Sequence, residues 1–277
     1  MLPPFFQSAI RNPLSAIPIC RLGLATRGGG HLTVDDIHHA IDAGVNFLNW
    51  PGTPDALSQA VAGLGRRRKE VMVCVQFEAR RADDAKRELE SILRELGTEY
   101  VDVLTYYYVE GPNEWEEIIG SGGAHAFCLE AKRAGQVRLI GVTTHQRSLA
   151  ATMAPSGLLD LLMIRYNAAH RGAEQDIFPV TEALGLPVVV YTCLRWGALL
   201  EKTPDEPPGL IPPRAPAWYR FALQSPAVTV ALMAPDTRAE LDEDLTVLEA
   251  AGPLTAEEYA RLAEHGQRVR RHAGTFP

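Results

Sequence analysis

Eight short apolar runs punctuate this chain, each followed by a turn, and most of them are separated by amphipathic stretches. They are Ile17 to Ala25, Val45 to Asn49, Val71 to Gln76, Val101 to Tyr107, Val137 to Thr143, Leu158 to Arg165, Pro187 to Thr192 and Ala227 to Leu232. Near-continuous apolar runs of this length read as strands buried on both faces, the condition of a parallel sheet covered by helices. Helical periodicity fills the intervals at Thr33 to Ala43 (with Thr33 as N-cap), Arg81 to Leu96, Ala124 to Ala134, Glu174 to Leu184 and Thr237 to Ala250. Eight such units predict an α/β fold, a (β/α)8 TIM barrel, and 277 residues suit a single domain of that kind spanning 1–277. "LTAEEYARL", from Leu254, opens an extra C-terminal helix running from Thr255 to His272. The proline-dense segment 204–216 is expected to be a long loop after the seventh strand. A doubly wound sheet would need a G-x-G-x-x-G turn after the first strand. Arg27-Gly28-Gly29-Gly30 lacks that spacing and reads as a flexible loop over the barrel mouth.

Composition excludes several classes of function. The net charge is −7, and no basic stripe is longer than Arg66-Arg67-Arg68-Lys69, which reads as a solvated turn, so no nucleic-acid partner is expected. No run approaches the ~18 apolar residues of a membrane span, and "MLPPFFQSAIRNP" lacks the layout of a signal peptide. Cys20, Cys74, Cys128 and Cys193 show no C-x-x-C spacing and read as reduced core thiols of a cytoplasmic protein. His38-His39 and His170-Arg171 lack metal-ligand spacing with Cys or acidic partners, so no metal is expected.

In a barrel of this kind reactive groups sit at the carboxyl ends of the strands. On the fourth run a period of two puts Val101, Val103, Thr105 and Tyr107 on one face, with Leu104, Tyr106 and Tyr108 on the other. The first set is mostly small and β-branched, which suits a crowded interior. Tyr107 is therefore expected to point into the mouth, Tyr106 to pack against helices and Tyr108 to begin the loop.

The strand-end motifs "GVNFLNW", "EVMVCVQ", "YVDVLTYY", "GQVRLIGVTTH", "LLDLLMIRYN" and "VVVYTCL", with "ELDEDL" near the end, resemble in order and spacing those of the aldo/keto reductase family. The likeness runs from about Cys20 to Leu262. It implies hydride transfer between a nicotinamide cofactor (NADP or NAD) and a carbonyl, assisted by an Asp, Tyr, Lys and His tetrad. In that arrangement a buried ammonium makes a phenol, of ordinary pKa about 10, acidic enough to donate a proton. Carried over by motif, Asn49 stands at the aspartate position, Gln76 at the lysine and Tyr107 at the histidine. Residues 51–55 contain no tyrosine to complete the set. Asn49 and Gln76 are neutral isosteres able to hydrogen-bond to each other. His145, just past the fifth strand, either faces the cavity as a base or donor or bonds locally.

For the cofactor the resemblance assigns Tyr191 to stacking on the nicotinamide, with Thr192 and Leu194 near the pyrophosphate. Thr143 and Thr144 stand where the family reaches the carboxamide, and Met163 replaces a glutamine there. Arg238 is the one cation among Asp236, Glu240, Glu243 and Asp244, where the family grips the adenosine phosphate. NADP is therefore expected to bind weakly, and NAD to be less disfavoured. Arg165 shares parity with Met163 and Asn167. It either looks into the mouth as an anion site beside Asn167 or pairs with an acid such as Glu110. Trp50 and Trp196 either wall an aromatic pocket or pack under loops. The leading expectation is a degenerate family member, a pseudoenzyme with a ligand-binding or regulatory role that takes a small molecule in the barrel mouth. Two alternatives stay open: an atypical NAD(P)H-dependent oxidoreductase using Tyr107, and a non-redox lyase, isomerase or hydrolase acting on a polar substrate held by Arg165, Asn49 and Gln76.

Overall fold

The strands of a computed structural model, which describes residues 3–11, 18–27, 30–250, 252–272 and 274, follow the apolar runs closely. β1 (Gln7–Arg11) and β2 (Pro18–Cys20) form an antiparallel pair outside the barrel. The barrel itself comprises β3 (Leu22–Ala25), β4 (Phe47–Trp50), β5 (Met72–Phe77), β6 (Val101–Tyr106), β7 (Val137–Thr144), β8 (Leu161–Arg165), β9 (Val188–Tyr191) and β10 (Val228–Met233). All neighbours are parallel, and β10 pairs with β3 to close the ring. The helices are α1 (Val34–Asp42), α2 (Ala56–Gly63), α3 (Ala82–Glu95), α4 (Pro112–Ile119), α5 (Ala124–Arg133), α6 (Arg147–Met153), α7 (Ala173–Asp176), α8 (Phe178–Leu184), α9 (Ala215–Gln224), α10 (Arg238–Leu245) and α11 (Ala256–His272). Eight βα units and the extra C-terminal helix make the predicted (β/α)8 barrel.

Three expectations about elements need correction. The first apolar run is two strands, because Arg21 interrupts it: its guanidinium donates to the carbonyls of Phe5 (3.1 Å), Leu223 (2.9 Å) and Val228 (2.7 Å), gathering chain ends under the barrel. Ile10 of β1 and Ile19 of β2 join the interior cluster with Phe47, Met72 and Val230, so the hairpin plugs the amino-terminal end. Ile17 lies outside the described residues. The Glu174–Leu184 stretch is two helices, since Pro179 falls in the first turn of α8, where its missing N–H does no harm, and a new helix starts there. The run after Thr237 is α10 followed by one tighter turn, Thr246–Glu249. Thr33 caps α1 as expected, accepting from the Asp36 N–H while the Asp36 carboxylate accepts from the Thr33 N–H.

The basic run is not wholly solvated. Arg68 is buried and pairs with the fully buried Asp102 (2.8 Å), which also holds Arg138 (2.7 Å) and accepts from the Val73 N–H (2.9 Å). Both arginines lie over the Tyr100 ring. This ionic knot braces β5, β6 and β7 at their starts, away from the mouth.

Parity on β6 is as anticipated up to Tyr107. Val103 packs in the barrel interior, whereas Leu104 and Tyr106 belong to the outer core under the helices. Tyr106 packs edge-on against Phe77 and Trp115, and its hydroxyl bonds His125 Nδ1 of α5 at 3.1 Å. Above the barrel, the irregular chain between Glu201 and Arg214 is anchored by α11. Glu206 lies 3.3 Å from His265 and accepts from Arg268 at 3.2 Å. α11 sits tight because Gly266 lets it approach the Ala168 backbone; a Cβ there would lie 2.4 Å from the Ala168 oxygen.

Candidate active site at the barrel mouth

The carboxyl ends of the strands open into a cavity of about 640 Å³. Its floor includes Asn49 from β4, Gln76 from β5, Thr143 from β7, Met163 from β8 and Leu232 from β10. Asn49 lies in register between Ala25 and Cys74 and is 3 % exposed, and its Oδ1 has no hydrogen-bond partner among the described residues. Gln76 therefore does not donate to it, and the mutual bond expected from sequence is not made in that sense. A buried amide oxygen without a donor is uncommon enough to need an explanation.

Three successive tyrosines divide between core and mouth. Tyr106 faces the helices, while Tyr107 and Tyr108 both line the cavity. Strand alternation would have put Tyr108 with Tyr106. Its φ of +56° turns the backbone left-handed directly after β6 and redirects the ring. Tyr107 is fixed through its backbone, its N–H donating to the Phe77 carbonyl at 2.8 Å and its carbonyl accepting from Arg80. From Tyr107 an aromatic row runs along one wall: Tyr108 edge-on at 4.7 Å, then His145 at 4.4 Å, then Tyr191 at 5.6 Å. The Tyr191 hydroxyl donates to the Thr144 carbonyl at 2.8 Å, holding the ring at the wall.

His145 faces the cavity and is also bonded locally. Its side chain lines the cavity, while its backbone N–H donates to Glu110 Oε1 at 2.7 Å. Burial lowers the imidazole pKa below its usual range; Glu110 opposes this and Arg165 adds to it. The Tyr107 phenol is pushed up by burial, with Tyr108 and Glu78 adding to the shift. Tyr108 is raised by burial and Glu110, against a smaller pull from Arg165. Burial holds Tyr191 well above the ordinary value.

Of the other residues assigned roles from sequence, Thr192, Leu194 and Trp196 line the cavity, with Trp196 largely exposed at its edge. Five lie outside the lining. Trp50 follows Asn49 on β4 and so faces the outer core, its Nε1 donating to the Thr53 carbonyl at 2.9 Å. Thr144 is turned away, its hydroxyl accepting from the Gln146 N–H. Asn167 is committed to loop structure: its Nδ2 donates to the Thr192 carbonyl, and its Oδ1 accepts from the Ala169 and His170 N–H groups. Arg165 lies at the end of β8, paired in register with Tyr191 and in the fields of Glu110 and Tyr108. Arg238 is drawn off to Asp242 (2.9 Å) and Asp36 of α1 (3.2 Å). Of the glycine loop, Gly28 and Gly29 lie outside the described residues.

The far end of the cavity is acidic, as the sequence led one to expect, and it also holds Tyr219 and Arg214, to which sequence reasoning gave no role. Asp236, Glu240, Glu243 and Asp244 line it, together with Tyr219, Arg27 and Arg214. Arg27 is paired with Asp236 at 2.6 Å and Arg214 with Glu243. Asp244 is 3 % exposed and accepts from the Tyr219 hydroxyl at 3.2 Å. Burial pushes its carboxyl up to about 7, Glu243 and Glu240 adding to the shift and the Tyr219 bond opposing it. Two backbone donors at the start of α10 are used locally. The Asp236 N–H donates to Glu240 Oε2 at 2.7 Å, and the Glu240 N–H donates to Thr237. "ELDEDL" shows the acids, but its helical spacing alone does not say which of them loses its water. No group of three or more His, Cys, Asp or Glu residues placed to hold a metal occurs among the described residues.

Comparison with known proteins agrees with this architecture. The NADH-specific methylglyoxal reductase of Escherichia coli (strain K12) is 23% identical over 218 residues, 66% of this chain and 66% of that protein, just short of two thirds of its length. An aldo-keto reductase of Bacillus halodurans, in its holo form, superposes with a TM-score of 0.74 at 18% identity, covering 94% of this chain and 96% of that one. An aldo-keto reductase from Klebsiella pneumoniae in complex with NADPH gives 0.72 at 19% identity, covering 90% and 92%. At such identity the solved structures speak for the shared barrel alone. The sequence model of the Aldo/keto reductase family matches residues 30–213, about two thirds of the chain, and the protein belongs to that family.

Proposed function

We propose that this family member binds a small molecule in its barrel mouth and does not carry out acid-assisted, NADPH-dependent carbonyl reduction. One observation carries the reading: the strand ends facing the cavity hold Asn49, Gln76 and Tyr107, and no lysine lines the cavity among the described residues. Carbonyl reduction leaves an alkoxide-like oxygen that must receive a proton. Tyr107, Tyr108 and Tyr191 are all shifted away from acidity, and His145 is shifted toward its neutral form. The pattern fits loss of the tetrad at all four positions named above.

The nicotinamide end of a cofactor finds two suitable groups, the Tyr191 ring and Thr143. The phosphate end does not fit. It would meet Asp236, Glu240, Glu243 and Asp244, while Arg27 and Arg214 are engaged by carboxylates. Like charges at this range repel by about 1 kcal/mol or more. NADP and NAD are therefore proposed as weak ligands at most, and no step is routed through them. Four free, buried cysteines support a cytoplasmic setting, and no described helix is long and apolar enough to cross a membrane.

Titrating NADPH and NADH while following tryptophan fluorescence tests the reading, with Trp196 at the cavity edge as reporter. A parallel assay follows reduction of methylglyoxal at 340 nm. Neither saturable quenching nor turnover is expected. Saturable NADPH binding together with methylglyoxal reduction would refute the proposal.

A further inference from the structure

We infer that the ligand of this cavity is a small organic ammonium ion, its cationic head set against Asp244 and its body running along the aromatic wall toward Asn49. The inference rests on the reading above, that the mouth accepts a small molecule and not a dinucleotide. Two independent observations at opposite parts of one cavity ask for the same chemistry. At the far end four carboxylates face two arginines, and each arginine is already paired, Arg27 with Asp236 and Arg214 with Glu243. Asp244 and Glu240 have no cationic partner among the described residues. Glu240 is exposed and bonds the Asp236 N–H, but Asp244 is buried and has only the Tyr219 hydroxyl. A buried carboxylate is costly until a cation or further donors reach it.

On the floor, Asn49 Oδ1 is a second buried acceptor, and it has no donor among the described residues. A ligand rich in N–H and O–H groups satisfies both, whereas an anion meets repulsion at one end and a mismatched acceptor at the other. Tyr219, Trp196, Tyr191 and Tyr107 line the same cavity, and aromatic rings are suited to a cation and an apolar body.

Asp244 is faced by Tyr219 of α9, by Cys193 after β9 and by Glu240 and Glu243 of its own helix, with Arg214 held by Glu243. An ammonium head stabilises the ionised carboxyl, so uptake below neutral pH releases a proton. Affinity should rise about tenfold from pH 6 to pH 8 as that proton no longer has to be displaced.

The test is calorimetry at pH 8 in an amine-free buffer, using matched pairs that differ in charge. The pairs are tyramine with 4-hydroxyphenylacetate, tryptamine with indole-3-acetate, and hexylamine with hexanoate. At least one amine should bind saturably and its carboxylate counterpart should not. Asp244→Asn should weaken that amine at least tenfold, and a thermal melt confirms that the variant is folded. Absence of binding by every amine overturns the inference, as does equal binding by the carboxylates or unchanged affinity in the variant. NADPH titrated alongside separates the two levels. Saturable NADPH binding accompanied by methylglyoxal reduction refutes the functional reading, whereas carboxylate binding without that turnover refutes only the cationic class.

Discussion

Asp244→Asn should change how the stability of this protein depends on pH. The carboxyl is 3 % exposed and pushed up to about 7 by burial, against an ordinary value near 3.9 in the unfolded chain. A folded pKa raised in an acid means that the unfolded state releases its proton first. Asp244 therefore costs least below about pH 4, costs progressively more as pH rises to about 7, and adds nothing further above that. Between pH 5 and pH 8 the span that counts is about two pH units, which at 1.36 kcal/mol per unit amounts to about 3 kcal/mol lost by the parent protein. Asparagine keeps the shape and an oxygen for the Tyr219 hydroxyl but does not ionise. Urea unfolding followed by circular dichroism at pH 5, 6, 7 and 8 reads the difference directly, because every other titrating group is common to both proteins. The variant should gain about 3 kcal/mol on the parent across that range. Parallel profiles would mean that water reaches the carboxyl and that the burial argument is wrong.

Three other perturbations test the frame around the mouth. Tyr106→Phe removes the bond to His125 Nδ1 in a ring of the outer core, where the His125 Nε2 already has no partner among the described residues. Equilibrium unfolding should show a loss of about 1 to 3 kcal/mol, and a change under 0.5 kcal/mol would place solvent at that hydroxyl. Asp102→Asn leaves Arg68 and Arg138 sharing a neutral partner at the base of β6 and should cost about 3 to 5 kcal/mol; full stability would show the ionic knot to be dispensable. Gly266→Ala drives a methyl to 2.4 Å from the Ala168 oxygen, so α11 must shift at a cost of about 1 to 3 kcal/mol. Faster amide exchange in α11 and in the 201–214 segment that it anchors should accompany that loss, and unchanged protection would argue against the close contact.

Much of the barrel and part of its mouth are legible in the residue order. Strand number follows from apolar runs that need burial on both faces, and which side chains point inward follows from alternation along each run. These are properties of a few consecutive residues. They suffice to bring Asn49, Gln76, Tyr107, Thr143, Met163 and Tyr191 to one cavity and to send Tyr106 to the helices. The Thr33 cap is local in the same way.

What tertiary structure decided was the charge state and company of groups whose partners lie far along the chain. Arg68 meets Asp102 and Arg138 only after three strands assemble, and Arg21 breaks the first run only because carbonyls near residues 223 and 228 gather around it. Arg238 leaves the mouth for Asp36, about two hundred residues earlier. Asp244 loses its water because Tyr219 and the surrounding elements close over it, while its neighbour Glu243 keeps an arginine. Desolvation and ion pairing depend on what arrives from elsewhere in the chain, so no window of sequence contains them, and they set the chemistry of this cavity.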